Sequence, residues 1–303
     1  MLRGRSAAVA AAFAVAAVAA VTAGCGGGGT GSAISLDPVA AAATKSQHAG
    51  AARIRFSLAL SSPQMQGKTL RMRASGAING TSGELTFNLG SLIRQMGAPQ
   101  GALPGATAAQ LDHASMKEVF LEQGGHYVIY MRLGVLASQI PGGKPWLKLD
   151  LSELGKSAGL DFSKFLSGSQ LQPTDLLGML RGEGAKISKL GSAKVNGTAT
   201  THYRVTVDLA KALQAKGLTS PLLESFAAQM PKVPEDVWIG KDGLVRRVAI
   251  AYSFAPAGKP VRMRMTMNLS DYGAHVTIAA PPSDEVFDAT QLAQGSLGSA
   301  LLH

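Results

Sequence analysis

The stretch Ala51-Ala52-Arg53-Ile54-Arg55-Phe56-Ser57-Leu58-Ala59-Leu60 alternates between two kinds of side chain. Successive residues of a strand point to opposite faces of a sheet. A period of two therefore puts Ile54, Phe56, Leu58 and Leu60 on one face and Arg53, Arg55 and Ser57 on the other. The pattern recurs from Thr69 to Ala77, where Leu70, Met72 and Ala74 oppose Arg71 and Arg73. Asn79-Gly80 spells a tight hairpin turn into residues 84–89, whose Leu85, Phe87 and Leu89 share a face.

Further strands are expected at 117–122 and, past a Gly124-Gly125 turn, at 126–131, which holds Ile129. A turn at Pro141 to Pro145 leads to a short strand at 146–149. A second hairpin, turned on Asn196-Gly197, joins 185–195 to 198–208, the latter carrying Val205. The C-terminal run reads as strands at 236–240, 244–254 (with Ile250), 260–271 and 274–279. In it Val261, Met263, Met265, Met267 and Leu269 alternate with Arg262, Arg264, Thr266 and Asn268. Methionine is flexible and polarisable, suited to an adaptable apolar pocket, although a packed core is written with the same residues.

Helices are expected from the Asp37-Pro38 start signal to about Gly50, within 151–181, across 209–230 and in a short tail at 288–294. Residues 90–113, rich in Gly, Ala, Pro and Gln with a helical patch at Leu92 to Met96, read as an excursion or lid. Strands joined by tight turns instead of helical crossovers make the sheet mainly antiparallel and the class α+β. Residues 36–303 are expected to form one domain.

Ahead of it, Arg3 and Arg5 precede an apolar run from Ala7 to Val21, and Ala23-Gly24 precede Cys25. Residues 1–24 read as a secretory signal, and the run is shorter than the roughly 20 apolar residues of a spanning helix. Val21-Thr22-Ala23-Gly24-Cys25 looks like a bacterial lipobox, in which the cysteine thiol receives a diacylglycerol anchor with palmitate-type chains. Thr22 stands where Leu is most usual. Residues 25–35, opening on Gly26 to Gly29, form a tether. Cys25 is the chain's single cysteine, so no internal disulfide is available. The chain carries a net charge of +10, of which the leader holds only Arg3 and Arg5, leaving +8 after cleavage.

The lipobox, the Gly tether, the leading helix and the basic first hairpin occur together with several short runs. These are Tyr127 to Met131, Pro141 to Asp150, Thr201-His202-Tyr203, Val237-Trp238-Ile239 and Asp242 to Arg247. In this combination the chain resembles the LolA-like superfamily, and within it the actinobacterial LppX/LprG-type lipoproteins. The resemblance implies a strongly curved antiparallel half-barrel whose concave face is covered by helices and encloses an apolar cavity for acyl chains. Cavity-lining candidates are Ile54, Phe56, Leu58, Leu70, Met72, Leu85 and Phe87 from the first strands. Ile129, Val205, Ile250, Met263, Met265 and Met267 join them from later ones. Arg53, Arg55, Arg71 and Arg73 are candidates for contact with anionic lipid, or form a solvated face.

No catalytic constellation is expected. Gly155-Lys156-Ser157-Ala158-Gly159 matches the nucleophile-elbow spelling but follows a helical pattern where a buried strand is needed. Gly155-Lys156-Ser157 and Gly67-Lys68-Thr69 lack the first glycine of a phosphate loop. The six histidines stand singly, so no metal site and no cofactor are expected. An exported basic protein has no nucleic-acid partner to meet, and its oligomeric state is left open. The leading expectation is a non-enzymatic lipoprotein on the outer face of the cytoplasmic membrane, binding or carrying lipid. The alternatives are an envelope-stress or regulatory protein-binding module of the same fold and a structural lipoprotein without a ligand.

Overall fold

A computed structural model describes residues 38–65, 67–96, 107–134, 140–157, 186–208, 232–254 and 259–294, together with isolated positions between them. Twelve strands form one sheet: β1 (Ala52–Ser61), β2 (Thr69–Asn79), β3 (Ser82–Asn88), β4 (Ser115–Gln123), β5 (His126–Arg132), β6 (Trp146–Asp150), β7 (Lys186–Val195), β8 (Thr198–Asp208), β9 (Lys232–Gly240), β10 (Val245–Phe254), β11 (Val261–Ser270) and β12 (Val286–Asp288). Helices among the described residues include α1 (Pro38–His48), α2 (Leu89–Met96), α3 (Ala108–Asp112) and α4 (Leu151–Ser157), and residues 290–294 are also helical, where the sequence placed a short tail helix. Among the described residues no helix is long and apolar enough to cross a membrane.

The spatial order β12-β6-β5-β4-β3-β2-β1-β11-β10-β9-β8-β7 contains two meanders, β1 to β6 and β7 to β11, zipped together by the antiparallel pair β1 and β11. Short hairpins drive each meander. At Asn196-Gly197 both residues have positive φ, 48° and 84°, the twist that suits a two-residue connection between right-twisted strands. The sheet is curved, open and mainly antiparallel, in the α+β class expected from the sequence and consistent with the half-barrel that the resemblance implies.

The core sits chiefly on one face. Val39 and Ala42 of α1 pack on Val205, Val237, Ile239 and Leu269. At the centre Phe56, Phe87 and Met265 form a second cluster, with Leu89 of α2 against it. Helix α2 takes the place β3 vacates beside the start of β2. There the Gln95 amide accepts a hydrogen bond from Arg71 N at 2.8 Å and donates one to Arg71 O at 2.9 Å, as a neighbouring strand would. Gly90 lets α2 meet α3, since a Cβ there would come 2.0 Å from the Asp112 carbonyl oxygen.

Two sequence expectations need correction. Residues 274–279 are not a strand, for they make no ladder. Ile278 instead packs with Val119, Val128 and Tyr130 on the opposite face of the sheet. That crossing delivers the chain to β12, which the sequence reading missed. It pairs in parallel with β6, fastened by Lys148 Nζ to Asp288 at 2.8 Å and by Ala289 N to Lys148 O at 2.9 Å. Three residues are too few for a period of two to show. The expected helices at 158–181 and over most of 209–230, the centre of the excursion at 97–106, and residues 1–37 with Cys25 lie outside the described residues.

Candidate functional site

Register assigns every strand residue to a face. Across β2, β1, β11, β10, β9 and β8 one row reads Met72, Leu58, Met265, Ile250, Glu235, Val205. The adjacent row, starting on β3, reads Phe87, Ala74, Phe56, Met267, Val248, Val237. Leu70 and Met263 flank Leu60, and Ile54 continues through Gly76 to Leu85. Ile129 reaches the same face through Phe120 and Gly83. All thirteen apolar candidates thus project from a single face.

Burial along that face is graded. Ile54, Phe56 and Phe87 are buried, Phe87 completely. Further along the same strands Leu58, Leu60, Leu70, Met72, Tyr252 and Met263 are only half-buried. The apolar surface therefore runs beyond the packed core, toward the 61–69 and 254–261 connections at one end of the central strands. Packing at the other end is close. A Cβ on Gly83 would lie 2.1 Å from the Phe120 ring, so the missing side chain makes room for the aromatic one.

Two carboxyl groups interrupt this face. Glu118 sits between Leu85 and Met131 and is 3% exposed. Burial pushes its carboxyl up to about 7. Glu235, between Val205 and Ile250, is also pushed up to about 7, by burial first and by the Asp236 charge second. Glu235 is half-buried, less enclosed than Glu118. At neutral pH each exists partly as the uncharged acid, which offers one O–H donor and acceptor oxygens to a polar group on an otherwise apolar face. Sequence reasoning missed both. The signal was present, since Glu118 falls in phase with Met116 and Phe120, and Glu235 with Val233 and Val237.

Across β2, β1, β11 and β10 the reverse face is polar. Arg53, Arg55, Arg71 and Arg73 share it and are exposed. A depression of about 340 Å³ opens there between Arg55 and Arg73, floored by Ser57 and Ser75 and walled by Asn88 and Asn268. Beside it Arg247 Nε donates to Asn268 Oδ1 at 2.7 Å, and its guanidinium lies 5.6 Å from the Trp238 ring. Trp238 in turn stacks on His202 at 4.2 Å. Asp236 accepts from His202 and Arg204 at 3.1 and 2.9 Å. Burial would raise its carboxyl, but these hydrogen bonds outweigh it and hold the group below its usual range.

His126, Asp150 and Glu153 bring possible ligand atoms within 4.8 Å of one another. The backbone already employs the central group, because Asp150 accepts from Glu153 N at 3.0 Å while meeting His126 Nδ1 at 2.7 Å. Ser157 of the elbow-like spelling lies in the last turn of α4, seven residues past the strand, and not at a strand-to-helix turn.

No family model matches the chain. A Streptomyces griseus protein described as an uncharacterized 31.2 kDa protein of the rplA-rplJ intergenic region is 26% identical over 273 residues, covering 84% of this chain and 80% of that one. Among solved structures, LprF from Mycobacterium bovis is similar at 13% identity and a TM-score of 0.38, over 81% of this chain and 96% of that one. Mycobacterium tuberculosis lipoprotein LppX is similar at 14% identity and a TM-score of 0.38, over 80% and 100%. A LolA superfamily protein from Nitrosomonas europaea is similar at 7% identity and a TM-score of 0.25, over 84% and 97%.

Proposed function

We propose that the protein is a non-enzymatic, membrane-anchored lipoprotein of the bacterial envelope that binds or carries lipid, holding acyl chains against the apolar face of its sheet. The observation that carries this reading is the graded burial. Core rows end in half-buried Leu58, Leu60, Leu70 and Met263 where a face that packed only against its own chain would close. Met72 and Met263 give that surface side chains able to follow an acyl chain's varying shape, and Met265 and Met267 continue the stripe into the packed core. Each methylene transferred from water is worth about 0.8 kcal/mol, so a chain of about a dozen methylenes gains enough to be retained through purification.

The anchor would be the diacylglycerol on Cys25, set 13 residues before the first described helix. That tether spans at most about 45 Å, keeping the domain at the outer face of the membrane. Organic extraction of the purified protein followed by mass spectrometry tests the cargo. Diacyl lipid in constant proportion to protein, over and above the covalent anchor, is expected. Extracts free of it from a folded protein would leave the structural and protein-binding alternatives.

A further inference from the structure

From the face opposite the apolar one, we infer a second contact with the membrane: strands β2, β1, β11 and β10 present a basic surface that docks on the phosphates of an anionic lipid bilayer. The inference rests neither on a lipid cargo nor on modification of Cys25. Within these four strands that face carries seven arginines, at 53, 55, 71, 73, 247, 262 and 264, and no acidic residue. Six of them are exposed, and none of those six pairs with a described carboxylate. Arg247 is engaged with Asn268 and Trp238.

A face serving only solubility interleaves the two signs of charge, as Lys117 and Glu84 do at 3.0 Å on the neighbouring strands. Here the intervening positions are small. Arg71 and Arg264 flank Ala59, and Arg73 and Thr266 flank Ser57. Guanidinium groups therefore stand clear above a low floor, with room for phosphate oxygens between them, and the depression between Arg55 and Arg73 accepts a head group. The charge also has a direction. Arg71, Arg262 and Arg264 lie toward the connections that carry exposed Lys68 and Lys259. That is the end at which Leu60, Leu70 and Met263 remain half-buried on the other face. Docking would bring the open end of the apolar face to the bilayer surface.

The test keeps the whole chain. The protein is reconstituted in vesicles of phosphatidylcholine alone or mixed with phosphatidylglycerol, treated with phenylglyoxal, and the arginine adducts are quantified by peptide mass spectrometry. Arg132 on β5 is the internal reference, being exposed and three strands away from β2. In the anionic vesicles Arg53, Arg55, Arg71, Arg73, Arg262 and Arg264 should label about tenfold more slowly than in phosphatidylcholine. In about 1 M salt, where the Debye length is about 3 Å, the difference should vanish. Arg71→Ser with Arg264→Ser removes two charges worth about 1 kcal/mol each and should abolish most of the roughly tenfold protection of the remaining arginines. Equal labelling in the two vesicles overturns the proposal. So does protection limited to Arg55 and Arg73 that inorganic phosphate reproduces without anionic lipid, because that result describes a site for a free anion.

Discussion

Glu118 stands where a strand period of two calls for an apolar side chain, and its carboxyl is raised to about 7 by burial. The sign of its effect on stability follows. An unfolded glutamate titrates near 4.5, so between about pH 4.5 and 7 the folded chain holds more protons than the unfolded one, and stability falls as pH rises. The penalty is absent below that window and complete above it. Glu118→Gln should therefore raise stability at pH 8 by about 1–3 kcal/mol and leave it nearly unchanged at pH 4. Thermal melting across the window checks this, and a variant whose melting temperature keeps the full wild-type slope would contradict it. Glu235 adds slope in the same direction, so Glu118→Gln alone flattens the curve only in part. Asp236 and Asp288, held below their usual range, lose their contribution at more acid pH and leave this window clear. Gly83 is the steric counterpart. Gly83→Val would drive a side chain into the Phe120 ring and should cost about 3 kcal/mol, read as a shift in urea midpoint. A midpoint shift worth under about 0.5 kcal/mol would show that the ring moves freely aside.

At the scale of elements, half-buried Gln95 is the test. Its side chain closes the free edge of β2 by two hydrogen bonds to Arg71, a role that edge strands otherwise fill with charge or a covering loop. Gln95→Ala should accelerate hydrogen exchange at the Arg71 amide at least tenfold, the loss of about 1.5 kcal/mol of protection, with little change at Phe56. Unchanged exchange at Arg71 would mean that another group closes the edge. Nothing in the spelling of residues 89–96 announces this contact, because it depends on where β3 stops pairing with β2. The long strands were legible for the opposite reason: β1, β2, β8 and β11 run for 10 or 11 residues, and Asn-Gly turns close β2 and open β8, which leaves little freedom in register. Short or aperiodic pieces such as β12 and residues 274–282 were not, since partners distant in sequence decide them. The runs that carried the family resemblance show a mixture of both. Thr201 to Tyr203, Val237 to Ile239 and Arg246-Arg247 are scattered in sequence, yet the sheet brings His202, Trp238 and Arg247 into one stack.

For the whole molecule, the two faces of one sheet divide the work proposed for it: an apolar face for acyl chains, a basic face for the bilayer, and a tether from Cys25 that permits both. The first step is checked at the N-terminus, where a peptide starting at Cys25 and carrying diacylglycerol is expected by mass spectrometry of the membrane fraction. A free Cys25 thiol would contradict it. The graded apolar face also separates folding from binding. Phe56→Ala removes buried contacts and should cost about 3–4 kcal/mol. Leu60→Asp, at a half-buried position, should cost about 1 kcal/mol and yet abolish lipid retention. The most direct measurement uses a fatty acid bearing a photoreactive diazirine on its acyl chain, cross-linked to the purified protein and mapped by peptide mass spectrometry. Adducts concentrated at Leu58, Leu60, Leu70, Met72 and Met263, and displaced by excess unlabelled lipid, are expected. Adducts spread over both faces, or none above background in a folded protein, would contradict acyl-chain binding on this face.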